Sequence, residues 1–170
     1  VRPLSRPDLF YDSKVPSLRP PRGVLLHGPP GTGKTTLARA AASEAGVPFL
    51  SLHSAALESK WWGETPKLLE AVFKEARTRH SPCIVFIDEI DGMGRSRSET
   101  DQTCVYTLKC ELFRNMDSLS DAPVVVLACT NCQDALDPAL RRRFQRRLHV
   151  GLPSQGERKE ILDVLLSKED

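Results

Sequence analysis

The segment GPPGTGKT, Gly28 to Thr35, sets three glycines and one lysine between an apolar run and a helix-forming run. It fits G-x-x-x-x-G-K-[ST], and its flanks supply the context that this pattern requires. Before it, GVLLH (23–27) reads as a short buried strand. After it, KTTLARAAASEAG reads as a helix that Gly46 ends. A strand, a tight glycine turn and a helix in immediate succession confine the chain to folds in which a sheet edge opens onto a helix N-terminus. Backbone N–H groups there can close around phosphates at the positive end of the helix. Gly28, Pro29, Pro30, Gly31, Thr32, Gly33, Lys34, Thr35 and Thr36 are therefore the candidate nucleotide-binding residues. Lys34 would reach the β- and γ-phosphates, and Thr35 would hold Mg²⁺. A plain glycine turn with a solvated lysine would not need this strand and this helix.

The rest of the chain alternates in the same way. PFLSL is a second strand, followed by a helix with Thr65 as cap, Pro66 at its first position, and Leu68, Leu69, Val72, Phe73 and Ala76 as its apolar stripe. CIVFID is a third strand, apolar on both faces as a buried parallel strand is. Val105, Leu108, Leu112, Phe113 and Met116 mark another helix, VVVLACT a fourth strand and RLHVGLP a fifth. Ser154 and Glu157 form a capping box ahead of Ile161, Leu162, Leu165 and Leu166. Strand–helix alternation means a parallel sheet between helices, an α/β three-layer sandwich. Residues 1–22, with Pro3, Pro7, Pro16, Pro20 and Pro21, read as an irregular lead-in wrapped on that domain.

Composition excludes little but points inward. The 170 residues suit one α/β domain, and a net charge of +2 gives no general push toward nucleic acid or an acidic membrane. No apolar run approaches the length of a membrane span, and VRPLSRP is not a signal peptide. Any membrane attachment is expected from segments outside this chain. Five cysteines form no disulfide framework, and the CxxC of CTNC (129–132) has no second pair at a zinc-like distance. They read as small buried residues in a reducing, intracellular compartment.

The second half of the chemistry lies in IVFIDEID. A buried strand ends in Asp88 and Glu89 at its carboxyl edge, where ligands bind in such sheets. Asp88 would orient the metal through its water shell, and Glu89, re-aimed by one residue, would polarise the attacking water. Binding alone has no need of Glu89, so hydrolysis of ATP is the expected reaction. Asn131, at the end of the fourth strand, would lie between this acidic strand and the phosphate loop. DPALRRRFQRRL then carries five arginines between Arg141 and Arg147. A nucleic-acid patch is the plain alternative, but the chain has no matching basic stripe or interleaved aromatics. Arginine fingers that stabilise γ-phosphate charge in a neighbouring subunit are the other reading.

Phosphate loop, acidic strand, strand-end Asn and Arg-rich segment, in this order, resemble the ATPase core of the AAA family over essentially the whole chain. The resemblance implies a P-loop AAA+ fold with strand order 5-1-4-3-2, ATP and Mg²⁺ bound between subunits, and a homo-hexameric ring. It implies an ATPase subdomain over 23–153, and over 154–170 the first helix of a small helical subdomain, of which this chain carries no more. Arg143 and Arg146 match the finger positions in R-F-x-R, and Arg142 is the neighbour used in some branches. SKWWGE (59–64) holds both tryptophans of the chain. It is similar to the family's pore loop at Lys60, Trp61, Trp62 and Gly63, with Trp61 as the aromatic that grips an extended polypeptide substrate. PLSRPDLF, the paired aromatics and TLKCELFRNMDSL resemble the branch that extracts tail-anchored proteins from outer mitochondrial and peroxisomal membranes, facing the cytosol. ALRRRFQRR leans toward the microtubule-severing and ESCRT-disassembling branches, and RSETDQT lacks an acidic pair usual in its loop. From other classes, a nucleic-acid-directed ATPase is opposed by KWWGE, and an inactive scaffold by the intact Lys34, Asp88, Glu89, Asn131 and Arg143. His27 stands where the family often has an aromatic residue.

Overall fold

Strand composition explains the layering. The computed structural model describes residues 2–11, 20–53, 65–94, 99–119 and 122–167. Five strands, β1 (Gly23–His27), β2 (Phe49–His53), β3 (Cys83–Asp88), β4 (Val124–Thr130) and β5 (Arg146–His149), form one sheet in the order β2-β3-β4-β1-β5. Every neighbouring pair is parallel. The first five residues of β3 are all buried, and so are six of the seven in β4. Apolar side chains at successive positions point to opposite faces, so such strands need cover on both sides.

The cover is divided accordingly. On one face Cys83, Val85 and Ile87 of β3 join Val124, Val126 and Ala128 of β4. Leu69, Phe73 and Ala76 of the helix Thr65–Thr78 (α4) and Leu108, Leu112 and Met116 of Glu99–Asp117 (α5) pack onto them. Ile84 and Phe86 with Leu127 and Cys129 face the other way, against Ala38 and Ala42 of Lys34–Ala45 (α3). Leu4 joins that second core from the lead-in, which is not irregular throughout. Arg2–Ser5 (α1) and Pro7–Tyr11 (α2) are short helices, each opening near a proline whose fixed φ suits a first turn.

Several expectations shift by a residue or more. Leu68 leaves the apolar stripe and is 44% exposed, because Leu69, Phe73 and Ala76 already fill a narrower face. The fifth strand stops at His149 rather than running through Pro153. Its only partner, β1, ends at His27, where the glycine turn begins. Ser154 and Glu157 do form a reciprocal capping box on Gln155–Leu166 (α7). Ile161, Leu162, Leu165 and Leu166 of that helix remain exposed. A short helix, Pro138–Arg143 (α6), precedes β5; Asp137 caps it through Ala139 and Leu140 and pairs with Lys109 of α5 at 3.3 Å.

Gly23 shows how closely α6 meets the sheet. A Cβ there would run into the Arg143 carbonyl and lie 3.1 Å from the Phe144 Cα, both backbone atoms that no rotamer change can move. Gly23→Ala should therefore cost roughly 1–3 kcal/mol through overpacking, seen as a melting temperature several degrees lower. Gly156→Ala, in open space on α7, should be neutral or slightly stabilising in the same melt.

Candidate nucleotide site

The carboxyl edge of the sheet gathers the sequence motifs. Gly28 (φ 150°), Gly31 (74°) and Gly33 (83°) turn the chain from β1 into α3. Gly33 is the N-cap of α3 in left-handed conformation, a position where a side chain would be strained. Lys34, the first helical residue, is only 8% exposed. Its Nζ donates to the carbonyls of Gly28 (2.9 Å) and Pro29 (2.7 Å), which satisfy an ammonium that burial would otherwise leave bare. The Thr32 hydroxyl also donates to Pro29 O, at 3.0 Å. The loop is thus held in a curl whose open side carries Pro29, Pro30 and Gly31.

β3 delivers the acids to the same place. The Thr35 hydroxyl donates to Asp88 Oδ2 at 3.1 Å, joining the loop to the acidic strand across 53 residues. The other oxygen, Oδ1, accepts the Glu89 N–H at 3.0 Å. Glu89 leaves the strand at φ 50°, an uncommon conformation for a residue with a side chain, and its carboxylate is exposed at the edge. Because β4 lies between β3 and β1, the end of β4, where Asn131 follows Thr130, stands between the ends of the acidic strand and of the strand that opens the phosphate loop. Thr35 and Asp88 are hard oxygen donors at one point, which suits Mg²⁺. Among the described residues no three His, Cys, Asp or Glu cluster for a metal. One hydroxyl, phosphate oxygens and water would be its ligands, with Asp88 acting through that water.

Beneath this edge Cys129 is a buried thiol pushed up to about 12, by burial first and by the Asp88 charge second. It stays protonated and inert, and Cys132, exposed on the following turn, makes no disulfide with it.

The arginines divide. Arg142 and Arg146 are exposed. Arg143 instead turns onto its own α5, with an ion pair to Asp117 at 3.0 Å and its guanidinium 4.1 Å from the centroid of the Phe113 ring. A role for Arg143 in a neighbour's site requires breaking this contact. Lys60, Trp61, Trp62 and Gly63 lie outside the described residues, as do the side chains of Thr65, Cys104 and Val105.

The remaining feature of the edge is a pair of histidines. His27 and His149 are register partners on β1 and β5, with ring centroids 5.2 Å apart and planes tilted by 49°. His27, where the family often has an aromatic residue, thus sets its imidazole ring at a tilt against that of His149.

A family model described as "ATPase family associated with various cellular activities (AAA)" matches residues 24–152. The chain belongs to the AAA ATPase family. It is similar, at 41% identity over its whole length, to the outer mitochondrial transmembrane helix translocase of Danio rerio, of which it covers 45%. It is 43% identical to fidgetin-like protein 1 of Caenorhabditis elegans over 98% of this chain and 28% of that one. The chain therefore spans less than half of either relative. Among solved structures, a FIGL-1 AAA domain in complex with ADP superposes with a TM-score of 0.83 at 38% identity, over 99% of this chain and 55% of that one. The AAA+ α/β fold and its strand order follow, and the family supports nucleotide binding.

Sequence reasoning missed three residues at this edge. Asp91, Thr130 and His149 are single residues far from their partners in sequence, and no spacing links them; the third acid of DEID was the only hint. His149 matters to pH response. His27 has its pKa lowered by loss of hydration first, then by His149 and Arg147, with Asp134 opposing. The folded state thus prefers neutral His27. The stability this preference contributes is present above the ordinary value near 6.5 and is lost as pH falls through it toward the lowered folded value. Melting temperature should fall from pH 7.5 to 5.5 more steeply in the wild type than in His27→Phe; equal slopes would leave the pair without this role.

Proposed function

We propose that this chain is the motor core of a protein-remodelling ATPase that hydrolyses ATP to ADP and phosphate and uses the cycle to thread or extract polypeptide. The observation that carries the hydrolytic part is the 3.1 Å contact of Thr35 with Asp88, with Glu89 exposed on the next residue. In this reading the phosphates lie on the loop at the α3 N-terminus, and Lys34 exchanges its two carbonyl partners for phosphate oxygens. Thr35, and Asp88 through water, would hold Mg²⁺, whose charge would offset that of the phosphates. Glu89 accepts a proton from the attacking water as its oxygen bonds to the γ-phosphorus and the bond to the β-phosphate oxygen breaks. Asn131 orients that water or the γ-phosphate.

A site open at one edge of the sheet suits completion by a second subunit, and AAA proteins typically assemble. We propose a homo-hexamer in which the exposed Arg142 and Arg146 reach the neighbour's γ-phosphate. Arg143 would join them only on release from Asp117. Lys60, Trp61, Trp62 and Gly63 would line the central pore and grip substrate. The relatives support two versions of the work. Likeness to a transmembrane helix translocase supports extraction of tail-anchored proteins by a cytosol-facing enzyme at an outer mitochondrial or peroxisomal membrane. Among the described residues no helix is long and apolar enough to cross a membrane, so an anchor would come from elsewhere. Equal likeness to fidgetin-like protein 1 supports a second version, microtubule severing, and the segment ALRRRFQRR keeps ESCRT disassembly beside it.

Two experiments on the full-length protein test these layers. Glu89→Gln should bind ATP normally but lose at least a hundredfold in turnover, and Lys34→Ala should lose nucleotide affinity itself. Wild-type turnover by Glu89→Gln would remove the assignment of the base. For the pore, Trp61→Ala should abolish ATP-driven unfolding of a model polypeptide while melting close to the wild type. A loss of about 3–5 kcal/mol in stability would return Trp61 to a core.

A further inference from the structure

Glu89 and Asn131 must hold one water between them, yet both lie exposed on turns just past their strands. Exposed side chains on separate turns are not held at a fixed spacing by their own packing. What joins the two turns lies beneath them. Glu89 enters a 3-10 turn, Ile90–Gly94, closed by a hydrogen bond from Gly92 N to Glu89 O at 2.8 Å. Within it Asp91 is buried, 8% exposed. Across the sheet, the last residue of β4, Thr130, is 1% exposed. Its hydroxyl donates to Asp91 Oδ1 at 2.8 Å and accepts the Cys132 N–H at 3.0 Å. One hydroxyl thus ties both neighbours of Asn131 to a carboxylate two residues beyond Glu89.

The strand register makes this bond the natural spacer. β3 and β4 pair through Ile87 with Ala128, and continuing that register sets Glu89 level with Thr130. Past the last ladder pair at this end, the side-chain pair adds one further connection between the two strands. A hydrogen bond to a carboxylate is shorter and stronger than a neutral one. Removing the hydroxyl takes this bond from the buried Asp91 and the side-chain acceptor from the Cys132 N–H at once.

We infer that Asp91 and Thr130 are positioning residues for hydrolysis, and that their hydrogen bond sets the spacing of Glu89 and Asn131 about the attacking water. The inference rests on the active-site reading above. Both side chains are buried and bonded to each other beneath the edge, so the bond acts on turnover and leaves nucleotide affinity alone. The constraint also explains why Glu89 can occupy φ 50°: Asp88 holds its N–H on one side, and the anchored Asp91 holds the turn on the other.

The test is a split between kcat and affinity in the full-length protein. Thr130→Val, equal in shape but without the hydroxyl, should lower kcat about tenfold or more, with affinity for a fluorescent ADP analogue kept within about twofold. Thr130→Ser, which restores the hydroxyl but not the methyl, should regain most of the lost turnover. A merely structural residue would show the reverse order, since valine fills the buried site better. Asp91→Asn keeps an acceptor oxygen without its charge and should show a smaller fall in kcat at unchanged affinity. It decides the matter if Thr130→Val fails to fold. Wild-type kcat in Thr130→Val or, where that variant is unfolded, in Asp91→Asn overturns the inference. Equal losses in the valine and serine variants overturn it as well. If Glu89→Gln is inactive while these variants turn over normally, only the spacer fails; if Glu89→Gln is fully active, the active-site reading itself fails.

Discussion

Burial of β3 and β4 on both faces is the constraint from which the rest of the molecule follows, because a parallel sheet of this composition is stable only between two layers of helix. The split of alternate residues into two cores assigns each helix a side. Ala38 and Ala42 bring α3 close on one face, and the larger Phe73, Leu112 and Met116 fill the other. With the middle strands clamped, their carboxyl ends are held level, and Lys34, Thr35, Asp88, Glu89 and Asn131 gather at that one edge. A core of apolar contacts thereby does the positioning that polar groups at the surface could not do for themselves.

The edge is then organised by electrostatics at short range. Lys34 is buried with two carbonyl partners, Asp88 divides its oxygens between Thr35 and the Glu89 N–H, and Thr130 bridges Asp91 and Cys132. Each bond crosses between segments that are distant in sequence or turns the chain where a strand ends. Ala128, Cys129 and Thr130 are all buried, so the layer beneath the edge is closed to solvent. Polar groups bonded in such surroundings hold their geometry firmly, since breaking one bond strands both partners.

The extent to which this was legible varied by residue. Strands Gly23–His27, Cys83–Asp88 and Val124–Thr130, and the end of α3 at Gly46, coincide with their sequence signals, because apolar runs and a left-handed glycine are local properties. Leu68 could not be placed by periodicity alone, since the width of the buried face depends on which partner packs against it. Nor could the end of β5, which is set by where β1 turns into the phosphate loop. The cluster of arginines reads as one basic run, yet Arg143 belongs to an intrachain contact with Asp117 and Phe113, 26 and 30 residues earlier, while Arg142 and Arg146 face outward.

What the sequence determined by itself was the kind of fold and the kind of chemistry: a glycine loop between strand and helix, an acidic strand end and a strand-end asparagine are patterns of neighbours. Local sterics and periodicity suffice to read them. Only the tertiary structure decided which of these groups meet. The pairing of Thr35 with Asp88, of Thr130 with Asp91 and of His27 with His149 depends on strand order and register, which no stretch of sequence carries alone. Those are properties of the packed sheet, fixed when both its faces are covered at once.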